Sequence, residues 1–195
     1  MTRFVFDVET NGIGTFRPPT QKVMQLAYGA WNPGETLQPK RVYIRGAAEV
    51  APKAFELHGI HPSVCEEKGV DIRDAVREML AEMRGCTVLT GHNVEFDIGC
   101  ILNHLQEVGA NELYDEMFDA VMNTTTVCTM RLGTDICKLP KTGAAARFPG
   151  FKFPTLGELH THLFGSLPEI NLHDAGADCK VTAKCFDAIF PEAIH

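Results

Sequence analysis

At 195 residues, 45% of them apolar and none in a low-complexity run, the chain has material for a single domain over 1–195 with a substantial core, which excludes a disordered or fibrous protein. A formal net charge of −7 excludes a broad basic face that coats duplex nucleic acid, but not a cleft that takes one strand end where cations supply the positive charge. No apolar run approaches a membrane span, MTRFVFDVET is too short and too acidic for a secretory signal, and seven scattered cysteines without a CxxC pair suit reduced thiols, so an intracellular, cytoplasmic setting is expected, the nucleus included.

The first third reads as strands. RFVFDV alternates, KVMQLAYGAW is a buried-type run and RVYIRG a shorter one; connections carrying Gly-Ile-Gly, Pro-Pro and Asn-Pro-Gly suit an antiparallel meander. Asp71 can cap a helix whose Ile72, Val76, Met79, Leu80 and Met83 form one stripe, with Gly85 as its stop. TVLTG is a short buried strand leading into a second helix, with Ile98, Ile101, Leu102, Leu105 and Val108 on one side and Gly109 at its end. The last helix is expected from about Ala175 to Phe190, with Thr182, Cys185, Phe186, Ile189 and Phe190 inward. Strands followed by alternating helix and strand indicate a mixed α/β sheet covered by helices.

Two segments leave their reading open. Residues 136–154 carry Lys138, Lys141, Arg147 and Lys152 with no acid and are rich in Gly, Ala and Pro, as a basic loop insertion that is either a solvated linker or a substrate contact. Cys128, Cys137, His160 and His162 can be assembled into a zinc set on paper, but their spacings match no standard pattern.

Three acidic stations carry the chemistry. In FDVET, Asp7 and Glu9 project from one face of a strand, while Phe6 and Val8 face the other way. Side-by-side carboxylates repel unless hard divalent cations compensate or the strand end faces water. In TGHNVEFD, Asp97 sits in the first turn of a helix, where an acid also simply complements the dipole. In NLHDAGADC, His173 and Asp178 are five positions apart and share no helical face. With Asp174 as N-cap they occupy the two positions, N′ and N4, that meet across a helix start.

In order and spacing, FDVET, GHNVEFD and HDAGADC resemble the three motifs of the DnaQ-like, or DEDDh, 3′–5′ exonucleases. KVMQLA, FELHGI and LGELHTHLFG extend the resemblance over most of the chain, leaving the 136–154 insertion unmatched. The resemblance implies an RNase H-like mixed five-stranded sheet, antiparallel meander plus parallel strands, flanked by helices. It implies Asp7, Glu9, Asp97 and Asp178 as ligands of two Mg²⁺, with Mn²⁺ able to substitute, and His173 as general base; a histidine here separates this branch from the one using tyrosine. Thr10, Ile13, His58 and Asn93 would contact a single-stranded DNA or RNA 3′ end, although Ile13 also suits a buried loop anchor and His58 a partner for a backbone carbonyl. A polymerase or a second copy of the chain is a candidate partner, the former in a proofreading role. A non-catalytic adaptor on the same fold would be expected to have lost some of the five groups, and all five are present.

Overall fold

The alternation in RFVFDVET becomes the central strand, β1 (Arg3–Thr10). The computed structural model describes residues 2–12, 21–47 and 49–191; Ile13 lies outside them. β1 pairs antiparallel with β2 (Val23–Trp31), which pairs antiparallel with β3 (Lys40–Tyr43). On its other side β1 pairs parallel with β4 (Val88–Gly91), and β4 parallel with β5 (Thr125–Cys128). The resulting five-stranded order is β3-β2-β1-β4-β5, the mixed sheet of meander plus parallel strands that the family resemblance implied.

The period-two pattern of β1 sorts its side chains between two layers. Phe4, Phe6 and Val8 enter the larger core with β2, α3 (Ile72–Met83), α4 (Val94–Glu107) and α5 (Asn111–Met122), through Val76, Met79, Ile101, Leu105 and Met117. Val5 faces the opposite layer, where α8 (Ala175–Ile189) places Ala175, Cys179, Ala183 and Phe186 against Ala27 and Trp31. Each large apolar side chain so buried contributes roughly 1.5–3 kcal/mol. Arg3 enters the same face: it is ion-paired with Asp187 and lies 5.1 Å from the Phe186 ring centre.

The helix starts follow their caps. Asp71 accepts from the Arg73 N–H and Asp174 from the Ala177 N–H, and all five apolar residues of the expected α3 stripe are buried. Other expectations need correction. The inward side of α4 includes Asp97 and His104, whereas Ile98 and Leu102 are only partly buried, because His104 Nδ1 accepts from the Val23 N–H in the core. Phe190, expected inward, is 42% exposed beyond the last turn of α8.

Elements that the sequence had not marked are α1 (Pro52–His58), α2 (Pro62–Lys68), α5, β5, α6 (Thr129–Cys137) and α7 (Leu156–Phe164). Residues 136–154 begin as the end of α6 and then form a 3-10 turn at Gly143–Arg147. The Lys152 N–H donates to the Leu139 carbonyl at 2.9 Å, closing the segment on itself. All seven cysteines are free thiols, and Cys128, Cys137, His160 and His162 form no metal-holding group among the described residues. No described helix is long and apolar enough to cross a membrane.

Candidate active site

β1 and β4 pair only as far as Val5 and Thr90. Beyond that point β4 turns away through Gly91, where a Cβ would sit 2.9 Å from Val94 and 3.3 Å from the Phe6 carbonyl. Asn93 then adopts a left-handed φ of 77° as the N-cap of α4, and the first turn of that helix carries Asp97 back toward β1. The Val8 N–H, left without a strand partner on that side, donates to Asp97 Oδ1 at 3.4 Å. The other oxygen, Asp97 Oδ2, is buried with no hydrogen-bond partner.

Glu9 shares the α8-facing side of β1 with Asp7, and α8 brings the third station. The helix start is docked by Gln25, whose Oε1 accepts from the Ala175 N–H at 2.8 Å. His173, at N′, has a φ of 70°, and its backbone N–H donates to both Asp178 oxygens at 3.2 and 3.3 Å. The two positions do meet across the helix start, but through a backbone donor rather than the imidazole. Glu9, His173 and Asp178 place ligand atoms within 4.8 Å of one another, with the His173 ring exposed to solvent. Arg41 pairs with Asp174 at 2.5 Å and flanks the cluster.

The electrostatics are those of acids held together without enough compensation. Burial first, then repulsion from Asp97, Asp178 and Glu9, pushes the Asp7 carboxyl well above the usual carboxylate range. Burial and the neighbouring Asp178 and Asp174 raise Glu9 to about 8. Asp97 is also raised, mainly by burial, against the lowering effect of the Val8 N–H. Asp178 is raised to about 6 by burial, partly offset by the His173 N–H. Four carboxylates raised this way, one with an orphaned buried oxygen, are a donor set that fits a hard divalent cation.

An exonuclease family model, RNase_T, matches residues 4–186 of the chain. The chain belongs to this exonuclease family. The PolC-type DNA polymerase III of Clostridium perfringens is 26% identical over 180 residues, covering 92% of this chain and 10% of that protein. The PolC-type enzyme of Listeria innocua is 28% identical over 120 residues, covering 62% and 8%. The chain thus spans about a tenth or less of these relatives. Escherichia coli exonuclease I in a zinc-bound complex with single-stranded DNA superposes with a TM-score of 0.68 at 21% identity, over 98% of this chain and 41% of that one. The same enzyme with a dA16 oligonucleotide gives 0.66 at 20%, over 97% and 41%. This likeness is one of fold.

Two openings flank the carboxylates of this exonuclease-family site. One, of about 430 Å³, is lined by Glu9, Thr10, His58 and Asn93, so three expected substrate-contacting residues and one carboxylate share it. His58 has both ring nitrogens engaged: Nδ1 accepts from the Ile60 N–H at 2.9 Å, and Nε2–H donates to the Thr10 carbonyl at 3.0 Å. Burial lowers its pKa, consistent with a neutral ring held in one tautomer. The ring thus makes the backbone-carbonyl contact named as one of its two readings, while its side still lines the opening. Lys53, Leu57 and Phe96 also line this opening and were not singled out in the sequence; the helical setting of Lys53 and Leu57 in α1 was the missing signal. The other opening, of about 540 Å³, is lined by Leu139, Leu156, Leu172, His173 and Asp178. His92, also unmarked, spans the two sides: its Nε2–H donates to the Pro154 carbonyl at 3.0 Å, at the end of the insertion.

Proposed function

We propose that the chain is a metal-dependent 3′–5′ exonuclease that releases nucleoside monophosphates from single-stranded or frayed ends. The observation that carries this reading is the convergence of Asp7, Glu9, Asp97 and Asp178 with His173 beside an opening of about 430 Å³. The four carboxylates would hold two Mg²⁺, with Mn²⁺ able to substitute. When bound, such ions offset charge on the phosphodiester and lower the pKa of a water.

The chain's own groups then have distinct tasks. His173 takes a proton from the attacking water, whose oxygen bonds to phosphorus as the bond to the 3′ oxygen breaks. The departing 3′ oxygen takes a proton from solvent, so a 5′-monophosphate is released and the shortened strand ends in a 3′-hydroxyl. An exposed imidazole can pass that proton on to solvent. Asp178 is held by the His173 backbone, so the base and a ligand keep a fixed relation. The Thr10 backbone, fixed by His58, would meet the terminal hydroxyl. The Asn93 side chain, which makes no capping hydrogen bond, would contact sugar or phosphate, and Phe96, which lines the same opening, would contact the terminal base. The PolC-type relatives favour a second, biological reading, in which this activity proofreads for a polymerase partner.

A denaturing-gel time course on 5′-labelled single-stranded DNA and RNA, with Mg²⁺, Mn²⁺ or EDTA, tests the reaction. A metal-dependent descending ladder that fades in Asp7→Ala and His173→Ala is expected, and it also ranks the two sugars. Unshortened strands under every metal condition would return the weight to a binding or adaptor role.

A further inference from the structure

Residues 138–154 hold four cations and no carboxylate in a chain of net charge −7. Lys152 is paired with Glu158 at 2.5 Å, whereas no carboxylate among the described residues lies within ion-pair distance of Lys138, Lys141 or Arg147. Three phenylalanines of the same segment, Phe148, Phe151 and Phe153, are 57%, 42% and 55% exposed. None stacks on another aromatic ring among the described residues, and the Arg147 guanidinium lies 5.1 Å from the Phe148 ring centre. The segment keeps this display through its own backbone: Lys152 N–H to the Leu139 carbonyl at 2.9 Å, Lys141 Nζ to the Pro149 carbonyl at 2.6 Å, and His92 to the Pro154 carbonyl at 3.0 Å. Leu139, at the root of the segment, lines the same groove as His173 and Asp178, so the segment starts at the edge of the site.

We propose that this insertion is a stacking platform for the single-stranded part of the substrate that trails away from the scissile bond. Phe148, Phe151 and Phe153 receive base faces, and Lys138, Lys141 and Arg147 receive phosphates. Exposed rings interleaved with unneutralised cations match a polyanion with unpaired bases; a duplex offers the cations its phosphates but hides its base faces. The platform rests on the proposed nuclease reading, since that reading supplies the strand.

Its test compares a dinucleotide with a single strand of about fifteen nucleotides, near the upper end of known single-strand site sizes. Equilibrium binding is read by anisotropy in EDTA and hydrolysis in Mg²⁺, for the parent, a Phe148→Ala/Phe151→Ala/Phe153→Ala variant and a Lys138→Ala/Arg147→Ala variant. The triple variant is expected to weaken binding and raise KM by about a hundredfold or more on the long strand, leaving dinucleotide hydrolysis at the parent's rate. The double variant is expected to flatten the slope of log affinity against log salt by about 0.7 per lost phosphate contact. Unchanged affinity for the long strand, or equal loss on both lengths, would overturn the platform. A parent that binds the long strand through these residues yet hydrolyses neither length would support the platform and overturn the nuclease reading.

Discussion

The acidic floor of the site and the basic insertion beside it handle charge in opposite ways. At the floor, Asp97 and its neighbours are withdrawn from water and crowded, and each carboxyl is pushed upward by burial and by the others. In the insertion, Lys138 and Arg147 are exposed and Lys141 half-buried, and none has an acidic partner among the described residues. Like charges in contact are tolerated only where the fold over-determines them; like charges in solvent need no such support. The floor therefore gains activity at the expense of stability, while the insertion is nearly neutral to folding and acts only when a polyanion arrives.

The sharpest way to break that contrast is Asp97→Asn. Removing one charge from the floor is expected to cut turnover by more than about 10⁴-fold, beyond the usual contribution of a general base. The same change should raise the stability of the metal-free protein by about 0.5–2 kcal/mol, as relief of a strained site commonly does. Turnover assays and thermal melts in EDTA check both halves. A loss of stability would mean that Asp97 supports the fold chiefly through its bond to Val8.

His173→Ala comes next, with an expected loss of about 10²–10⁴-fold in kcat and little change in KM. The alanine keeps the backbone N–H that holds Asp178, so a rise in KM alone would assign the ring to substrate binding instead.

The floor should also show itself in the pH dependence of stability. Glu9 is raised from 4.5 to about 8 and Asp178 from 3.8 to about 6. The folded protein then binds more protons than the unfolded one across this window. The stabilisation is fully present below the ordinary carboxylate values and is lost as pH rises through 6 and then 8. Melts of the metal-free protein are expected to fall from about pH 4.5 toward pH 8, by roughly 2–4 °C for each kcal/mol lost. Saturating Mg²⁺ should lift the upper end of that profile, by about 2.7 kcal/mol at a hundred times its Kd. A flat profile in EDTA would remove the crowding argument.

The smallest effect is expected for Arg41→Ala. The Arg41–Asp174 pair is half exposed, and such pairs are worth about 0–1 kcal/mol. A melt within a few degrees of the parent and turnover within a fewfold are expected. A large loss would show that Arg41 fixes the start of α8 and, through it, Asp178.

What was legible in the sequence follows from how locally each element is determined. β1, α3 and the start of α8 carry their own period and caps, and Asp7 and Glu9 fall on one face by the strand period alone. α1 buries none of its residues and β5 only Cys128, so neither leaves an apolar pattern to read. The α4 stripe was legible but turned to one side of its true inward face, because Asp97 and His104 take buried positions beside Ile101 and Leu105, one for the site and one for the Val23 N–H. The candidate carboxylates were thus found through motif resemblance and strand period. That His58 could serve a backbone carbonyl was one reading of the sequence, but which carbonyl it meets, and the bridge made by His92, depend on loops meeting in space, which no spacing in the chain encodes.

The left-handed backbone at His173 has a consequence of its own. A residue with a Cβ held at a φ of 70° carries about 1–2 kcal/mol of strain that glycine would not. His173→Gly should therefore lose the ring while relaxing the chain, and it retains the N–H that grips Asp178. Because the ring sits at the surface, its departure leaves a notch open to solvent. Free imidazole added to the buffer can enter that notch and restore turnover in proportion to its concentration. Such chemical rescue would separate the proton-accepting ring from the backbone that positions its neighbour.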